Sequence, residues 1–431
     1  MKIFNLDANF KNNSSALKFI TKQQQQNNKI AKTVQTIVNN VKKQQDEALL
    51  KYCQQFDGLS CQNTSELLVD ENIIENSHKN LDKSLKEAID LAYERIWAYH
   101  QKQMPQNLDF TDSLGVELGN HWQPISKIGL YVPGGTASYP SSVLMSAIPA
   151  LVAKVEKITM FMPVSGNKIN QAVLYCAKLC GIKTIYKIGG AQAVSAMAFG
   201  TQTIEKVDKI VGPGNAFVAL AKKMVYGSVG IDSIAGPTDI CIIADEKANP
   251  EWLAYDALSQ LEHGSDSKAF LITNCPKIAK NFILHCKKIF PTLDRSAIIA
   301  KSSQNSAVFV VPNLELASEL ANIIAPEHLE IATENPKNIL PLIKNAGAIF
   351  LGNYTPEAIG DYMAGPSHTL PTFGSAKFAS GLSVYDFLKR ISIISCNEKS
   401  FNKLADATQI FADAEKLQAH KLSIAIRQNI F

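Results

Sequence analysis

Four of the eight histidines lie beside carboxylates or a carboxamide, in short polar segments that could carry chemistry. Imidazole is the most common protein ligand of divalent transition metals, and it is well suited to proton transfer near neutral pH. The mixture of histidines and oxygen donors indicates a metal site next to an acid–base site. The four segments are Ser-Gln-Leu-Glu-His-Gly-Ser-Asp around His263, Ala-Pro-Glu-His-Leu-Glu around His328, Gly-Asp-Tyr-Met-Ala-Gly-Pro-Ser-His ending at His368, and Glu-Lys-Leu-Gln-Ala-His ending at His420.

One predicted helix ends in a pair of potential metal ligands. Gln260 and His263 are three residues apart, so they can share one face of that helix and converge on one ion. Together with Asp361 and His420 they form a set of nitrogen and oxygen donors without thiolate, which suits Zn²⁺ or Mn²⁺. A surface helix end capped by Gly264 is the alternative interpretation of the first pair.

Glu327 and His328 place an acid directly beside a base. They follow Ala325-Pro326, where a predicted helix ends, and their neighbours are hydrophobic enough to shift both pKa values. Such a pair could serve two successive proton transfers. A surface pair without function is the more ordinary interpretation of a histidine that follows a glutamate.

Three glycine-rich turns each follow a strand-like run and open a helix-like one. Turns of this kind expose backbone N–H groups and a helix N-terminus, which favour phosphate. None matches Gly-x-Gly-x-x-Gly, so the predicted nucleotide-binding domain depends on three such turns in one half of the chain. The turns are Gly129–Thr136, Gly189–Ala193 and Gly212–Ala216.

The elements that must position these residues alternate between strand and helix from Ile128 onward. This alternation predicts mostly parallel sheets with helices on their faces. The region up to about Asp112 reads as mostly helical. The end of the chain reads as a short strand, Ile391–Ile394, and a helix, Ala412–Ile426, and it must dock on its own chain or on a partner. The predicted strands of the alternating region are Lys157–Val164, Lys183–Ile188, Lys209–Val211, Asp239–Ala244, Ala269–Thr273, Ala307–Val311 and Ala346–Leu351.

Length and composition are those of an ordinary globular protein. The 431 residues predict about two to four domains, and the net charge of +4 is too small to suggest nucleic-acid or membrane-surface binding. No signal-peptide core or membrane-spanning run is evident, so we expect a cytoplasmic protein. The eight cysteines form no Cys-x-x-Cys pair and are expected to be free thiols.

Taken together, the motifs resemble those of the histidinol dehydrogenase family, and the resemblance extends over nearly the whole chain. The resemblance implies an α/β fold of two incomplete Rossmann-like domains, with helical N- and C-terminal extensions, in an intertwined homodimer. It is densest in Tyr131–Pro149, Gly189–Gly200, Lys209–Ala216, Ala235–Asp239, Leu258–Ser267, Ala325–Glu330, Ala346–Asp386 and Glu415–Arg427.

The resemblance also implies how the domains are divided. An N-terminal extension would span residues 1–24. The first α/β domain would combine residues 25–130 with 239–387 and carry most of the zinc and catalytic residues. The second α/β domain, on the NAD side, would span 131–238, and a C-terminal extension, 388–431, would dock on the partner subunit.

The implied reaction is the oxidation of L-histidinol through L-histidinal to L-histidine, the last two steps of histidine biosynthesis. Two NAD⁺ would be reduced per turnover, and one zinc ion per subunit would hold the substrate. The residues that the resemblance assigns are the zinc ligands Gln260, His263, Asp361 and His420, the catalytic pair Glu327 and His328, the further substrate contacts Thr238, His368 and Glu415, and the NAD contacts Tyr131, Gln192 and Asn215. His328 and the four zinc ligands would also contact the substrate.

The same resemblance implies the roles of the catalytic pair. His328 would take the hydroxyl proton as hydride leaves for NAD⁺. Glu327 would then activate a water molecule for attack on the aldehyde, with His328 again acting as base. His420 and Glu415 would complete the site of the neighbouring subunit, so that a monomer would lack part of its zinc shell.

Three other functions are alternatives to this one. A thiol-dependent aldehyde dehydrogenase would need an activated cysteine, and none of the eight lies in a suitable loop or beside the histidine segments. A catalytically silent zinc- and nucleotide-binding dimer would usually have lost an acid or base residue. A related dehydrogenase acting on another amino alcohol or polar alcohol is the more serious rival, because a sequence does not determine the shape of a pocket.

Overall fold

The computed structural model describes residues 1–7, 14–20, 28–134, 139–164 and 169–428. The Gln23–Gln26 run lies outside these ranges, as do Gly135 and Thr136 of the first glycine-rich turn. The final residues, 429–431, lie outside them as well.

Fourteen strands in the described ranges form three sheets. The strands are β1 (Lys2–Asn5), β2 (Leu108–Thr111), β3 (Glu117–Pro124), β4 (Lys127–Tyr131), β5 (Lys157–Phe161), β6 (Thr184–Tyr186), β7 (Lys209–Val211), β8 (Gly230–Ile231), β9 (Asp239–Ala244), β10 (Lys268–Thr273), β11 (Ala307–Val310), β12 (His328–Ala332), β13 (Ala348–Leu351) and β14 (Leu388–Ser395).

Seventeen α-helices in the same ranges surround the sheets, and none of them is both long enough and apolar enough to cross a bilayer. The helices are α1 (Ser14–Ile20), α2 (Asn28–Gln44), α3 (Asp46–Tyr52), α4 (Glu71–Glu75), α5 (Lys83–Gln101), α6 (Pro140–Val152), α7 (Gln171–Leu179), α8 (Gly190–Phe199), α9 (Ala216–Val225), α10 (Pro250–Leu261), α11 (Pro276–Ile289), α12 (Ser296–Ser302), α13 (Leu314–Ile324), α14 (Pro336–Ile339), α15 (Glu357–Tyr362), α16 (Glu398–Ala414) and α17 (Gln418–Ala425).

Two of the sheets are parallel and share one strand order. The five-stranded sheet runs β6-β5-β4-β7-β8, and the six-stranded sheet runs β1-β11-β10-β9-β12-β13. Apart from the added edge strand β1, each follows the doubly wound order through its fifth strand, with the order reversing beside β4 or β9. The prediction of parallel sheets with alternating helices is therefore confirmed.

Strand β9 shows why the six-stranded sheet is buried on both faces. Its residues are all buried, and they alternate between two cores as strand geometry requires. Ile240 and Ile242 pack with helices α10 and α11, whereas Cys241 and Ile243 pack with α13. An unbroken apolar run is typical of a central parallel strand.

Helices α2, α3, α4 and α5 pack on the five-stranded sheet unit, whereas α1 packs on the six-stranded sheet. Val34, Ile37 and Val41 of α2 and Ile89 and Ile96 of α5 belong to the same core as β4 and helices α6–α9. This packing differs from the predicted grouping of residues 25–130 with 239–387. Helix α2 has an apolar stripe that must be buried, but its periodicity does not show which sheet unit will cover that stripe. In the predicted N-terminal extension, β1 pairs with β11 at the edge of the other sheet.

The third sheet is antiparallel and ties the C-terminal segment to its own chain. Strand β14 pairs with β3 along its whole length, and β3 pairs with β2. Lys403 of α16 donates to the Leu114 carbonyl in the turn between β2 and β3. The predicted strand Ile391–Ile394 was too short, and β2 and β3 were not predicted, because their mixed, largely exposed sequences lack an apolar alternation.

Candidate active site

The candidate catalytic residues lie at the amino ends of two neighbouring strands. Asp239 begins β9 and His328 begins β12, and the parallel pairing sets His328 opposite Ile240. Glu327 was predicted beside a helix end, and α13 does end at Ile324, after which Ala325 adopts a left-handed conformation. Strand β12, which was not predicted, begins at His328 and lies between β9 and β13 in the sheet.

Glu327 is held by Asp239, the first residue of β9, and by Thr238 just before that strand. Its backbone N–H donates to Asp239 Oδ1 at 2.8 Å, and the Asp239 N–H donates to Glu327 Oε2 at 3.3 Å. The Thr238 hydroxyl donates to the same Oε2. Burial raises the pKa of Glu327 well above its usual range, and the hydrogen bond from Thr238 opposes this. A glutamate tuned upward in this way suits general-base catalysis near neutral pH.

The tautomer of His328 follows from its hydrogen bond. Nδ1 lies 3.2 Å from the backbone carbonyl of Asp239, and a carbonyl can only accept, so Nδ1 carries the hydrogen. Nε2 is then the basic atom. It is buried, and among the described residues no side chain or backbone group bonds to it. Burial lowers the pKa of His328 to about 3, so its imidazole is neutral and Nε2 has a free lone pair.

Two more carboxylates approach His328 to form a potential cation site. Ligand atoms of His328, Glu357 and Asp361 all lie within 4.8 Å of one another. The Gln260 amide lies between the Thr238 hydroxyl and the Glu357 carboxylate. Burial raises the pKa of Glu357 well above its usual range, and so do the neighbouring negative charges, Asp361 first. A divalent cation would relieve that repulsion, and the nitrogen and oxygen donors fit zinc or manganese.

Two further histidines border this cluster. His263 follows the end of α10 rather than lying within it, although its N–H still donates to the Gln260 carbonyl. Burial lowers the pKa of both His328 and His368, and a positive charge on the nearby His263 would lower both further. His368 Nδ1 lies 3.1 Å from the Asp361 carbonyl, and burial lowers the pKa of His368 to about 4.

Two predicted site residues stay apart from the cluster in a single chain. Glu415 at the end of α16 and His420 in α17 are both exposed. Within the described ranges, no hydrogen bond or ion pair joins their side chains to Asp361 or Gln260. Of the other predicted zinc ligands, Gln260 and Asp361 both lie beside Glu357, and His263 lies near His328 and His368.

The three predicted NAD residues lie at the carboxyl edge of the five-stranded sheet. Tyr131 ends β4, its hydroxyl accepts from the Gly190 N–H at 3.1 Å, and burial raises its pKa to about 12. Gln192 lies in the first turn of α8. Asn215 caps α9 by accepting from two backbone N–H groups. Ligands of doubly wound sheets bind at this edge.

Direct contacts connect the two candidate sites. His368 Nε2 lies 3.4 Å from the hydroxyl of Ser142, in the first turn of α6, which follows β4. The Gly236 N–H donates to Thr372 Oγ1 at 2.7 Å, near the crossing from one sheet unit to the other. The acid–base cluster therefore faces the carboxyl edge that carries the predicted NAD residues.

Sequence reasoning missed three buried acids. Glu357 follows Pro356 at the start of α15, where an acidic residue is usual, so nothing marked it out. Glu330 lies in the unpredicted strand β12, and its carboxylate accepts from the Glu357 N–H at 2.9 Å. Asp239 did carry a signal, because a charged residue that heads an all-apolar strand is unusual.

The cysteines do not favour a thiol mechanism. Cys241 lies two residues after Asp239, but it is fully buried in β9, and burial raises its pKa well above the usual value. Cys176 and Cys180 are buried on α7, as small core residues would be. A thiol with a raised pKa is a poor nucleophile at neutral pH, because little of it is thiolate.

Comparison with known proteins identifies the family. The family model described as Histidinol dehydrogenase matches residues 20–428. Histidinol dehydrogenase 1 of Nostoc sp. is 49% identical over 399 residues, 92% of each protein, and histidinol dehydrogenase of Hydrogenovibrio crunogenus is 44% identical over 402 residues, 93% of each. The crystal structure of histidinol dehydrogenase from Elizabethkingia anophelis superposes with a TM-score of 0.94 at 36% identity, covering 100% of this chain and 98% of that one. The chain belongs to the histidinol dehydrogenase family.

Proposed function

We propose that this chain oxidises L-histidinol to L-histidine through L-histidinal, reducing two NAD⁺ and using one zinc ion per subunit. The contact between His368 and Ser142 is the observation that supports this most directly. It brings the acid–base cluster to the edge of the sheet where a dinucleotide binds in doubly wound folds. A hydride donor and its acceptor need this proximity.

Gln260, His263 and Asp361 would hold the ion, with His420 supplied by a partner subunit. When bound, zinc would orient the amino alcohol and NAD⁺ would accept the hydride in each oxidation. Thr238, His368 and Glu415 would contact the substrate. Histidinol carries an amine and an imidazole, and the buried carboxylates around Asp361 complement a cationic molecule of this kind.

His328 would remove the proton of the substrate hydroxyl. Its Nδ1–H is held by the Asp239 carbonyl, so Nε2 points its lone pair away from the strand. Glu357 Oε1 lies 3.6 Å from Nδ1 and would stabilise the imidazolium while it holds the proton. The same nitrogen would act as base when the aldehyde hydrate is oxidised.

Glu327 would activate the water that converts the aldehyde into its hydrate. Its Oε2 accepts from Thr238 and from the Asp239 backbone, which holds the carboxylate in place. The raised pKa makes Glu327 a stronger base than an exposed glutamate. The alcohol step has no need of this water.

We also propose that the functional unit is a homodimer. Large apolar side chains of the C-terminal segment stay uncovered in one chain, including Ile394, Ile410 and Phe411 at 73%, 68% and 73% exposure. Apolar surface of this kind commonly marks an interface. Docking this segment on a second subunit would bring His420 and Glu415 to that subunit's site.

The test is to count NADH. With limiting L-histidinol and excess NAD⁺, two NADH should form per molecule of substrate, and L-histidine should accumulate. One NADH per substrate, or faster turnover of another amino alcohol, would contradict the proposal.

Removal of the metal tests the proposed role of zinc. Incubation with EDTA should abolish activity, and added Zn²⁺ or Mn²⁺ should restore it. Activity that is indifferent to chelation would exclude the metal role.

A further inference from the structure

Asp57 connects the N-terminal helical region to the predicted cofactor edge. It closes a π-helical turn, Cys53–Asp57, which continues from α3. Its Oδ2 accepts from Gln192 Nε2 at 3.1 Å and from the Gly189 N–H at 3.5 Å. Gln192 and Gly189 lie 135 and 132 residues further along the chain, so these two contacts exist because α2 and α3 pack on this sheet unit.

The contact determines which end of the Gln192 amide faces Asp57. An ionised carboxylate only accepts hydrogen bonds, so the amide nitrogen must point toward it. The amide oxygen is then directed to the other side, next to Gly190, where an added Cβ would lie 2.7 Å from Oε1. Among the described residues, no donor bonds to this oxygen. Gln192 is 1% exposed, so its side chain has little freedom to turn.

We propose that Asp57 is a positioning residue for the dinucleotide. It holds Gln192 so that Oε1 accepts a hydrogen bond from a donor of the dinucleotide, a ribose hydroxyl or an amide N–H. Tyr131 borders the same turn, because its hydroxyl accepts from the Gly190 N–H. The inference rests on the proposed function, since it requires NAD to bind at this edge.

A purely structural role for Asp57 makes a different prediction. If its carboxylate only tied α3 to the Gly189 turn, removing it would lower stability and would act independently of Gln192. A positioning role acts through the Gln192 amide. The two roles can therefore be separated by testing whether the effects of the two residues on dinucleotide binding depend on each other.

The experiment measures NADH binding by fluorescence titration in the zinc-loaded protein. Asp57→Ala should weaken NADH binding about five- to tenfold, the factor expected from one oriented hydrogen bond. Asp57→Asn should weaken it less, because the new amide oxygen can still accept from Gln192. Gln192→Leu should weaken binding by itself, and adding Asp57→Ala to that variant should have no further effect. The KM for histidinol and the zinc content should not change.

Asp46→Ala is the matched control. Asp46 is another acid of the N-terminal region, and it accepts from Thr203 on the same sheet unit at 3.2 Å, away from the predicted cofactor residues. This variant should bind NADH like the unmodified protein. Thermal unfolding of each variant shows whether a loss of NADH binding follows from a loss of folding. If Asp57→Ala is unstable, NADH binding by Asp57→Asn, alone and combined with Gln192→Leu, decides the outcome.

Three results would overturn the inference. Asp57→Ala could bind NADH normally, it could weaken binding equally with and without Gln192, or Asp46→Ala could match its effect. Failure of the unmodified protein to bind NADH would overturn the proposed function as well. If the unmodified protein forms two NADH per histidinol and Asp57→Ala binds NADH normally, this inference alone is overturned.

Discussion

Buried acids, more than histidines, determine the electrostatics of the candidate site. Glu327, Glu330 and Glu357 are 7%, 3% and 3% exposed, and burial is the largest cause of the raised pKa of each. Their mutual repulsion adds to that effect for Glu357. Buried carboxyl groups with raised pKa values are typical of sites that bind a cation or a proton.

Replacing Glu327 should separate the two oxidations. Glu327→Gln should slow oxidation of L-histidinal about a hundredfold or more and slow oxidation of L-histidinol much less, because only the aldehyde step needs activated water. Single-turnover NADH formation with each substrate measures both steps. The control is Glu334→Gln, which changes an exposed acid just beyond the same strand. Equal slowing of the two steps would contradict the assigned role.

Glu330 should make stability depend on pH. Burial raises its folded-state pKa well above its usual range, whereas the unfolded pKa is about 4.3. The folded state therefore binds the proton more tightly, so its stabilising contribution is complete below about pH 4.3 and is lost as pH rises through the folded pKa. Glu330→Gln stays uncharged and should raise the melting temperature of metal-free protein by a few degrees at pH 8, and less at pH 5.

Melting curves at several pH values measure this effect. Glu334→Gln again serves as the control, because its side chain is exposed. The amide oxygen that replaces the Glu330 carboxylate can still accept from the Glu357 N–H. A constant difference in melting temperature between Glu330→Gln and the unmodified protein at all pH values would show that Glu330 titrates normally in the fold.

At the scale of elements, a buried ion pair shapes the turn before α9. Lys222 of α9 pairs with Asp232, and their side chains are 1% and 3% exposed. Lys222 also donates to the Gly212 carbonyl at 2.9 Å, and the Gly212 N–H donates to Asp232 at 2.7 Å. Gly212 has φ of 111°, and an added Cβ would lie 2.0 Å from the Tyr131 carbonyl oxygen. The pair and the glycine together hold the turn that carries Asn215.

Removing one partner of this pair should destabilise the fold. Lys222→Met leaves Asp232 buried without a counter-charge and should lower the free energy of unfolding by about 3–5 kcal/mol. Adding Asp232→Asn should recover part of that loss. Lys157→Met, in an exposed pair with Glu205, should cost about 1 kcal/mol or less. Urea denaturation measures all four proteins, and similar losses for Lys222→Met and Lys157→Met would contradict the argument.

Local patterns predicted most elements of the two parallel sheets. Strands β7 and β9 match their predicted bounds, because each has a clear apolar run and a clear end signal. Strand β12 was missed, since two polar residues in His-Leu-Glu-Ile-Ala hide an otherwise apolar strand. Glu330 and His328 are tolerated in this strand because neighbouring elements supply their partners.

At the scale of the whole molecule, the C-terminal segment is the basis of the proposed dimer. It is attached to its own chain through β14 and β3, yet it carries His420 and Glu415 on an exposed surface. A segment anchored at one end and apolar on its outer face can complete a second subunit. The proposed dimer therefore makes a prediction about mixed chains.

Mixing two inactive variants should restore activity. His263→Ala and His420→Ala damage different parts of one composite site, so a mixed dimer keeps one intact site. Equal mixing with subunit exchange should restore about a quarter of the unmodified activity. Assays of steady-state NADH formation before and after exchange measure this. Mixed dimers that stay inactive, while each variant folds and dimerises, would show that the site lies within one chain.

The sequence by itself determined the family, the parallel α/β class and the types of residue available for chemistry, because periodicity and motif spacing are local properties. Only the tertiary structure decided which side chains meet. Thr238, Gln260, Glu327 and Glu357 come from separate elements and converge because β9 and β12 are neighbours in the sheet. It also decided that the N-terminal helices, with Asp57, cover the predicted cofactor unit. The physical reason is that burial of a charge, and hence its pKa, depends on the packing of distant segments rather than on its neighbours in the chain.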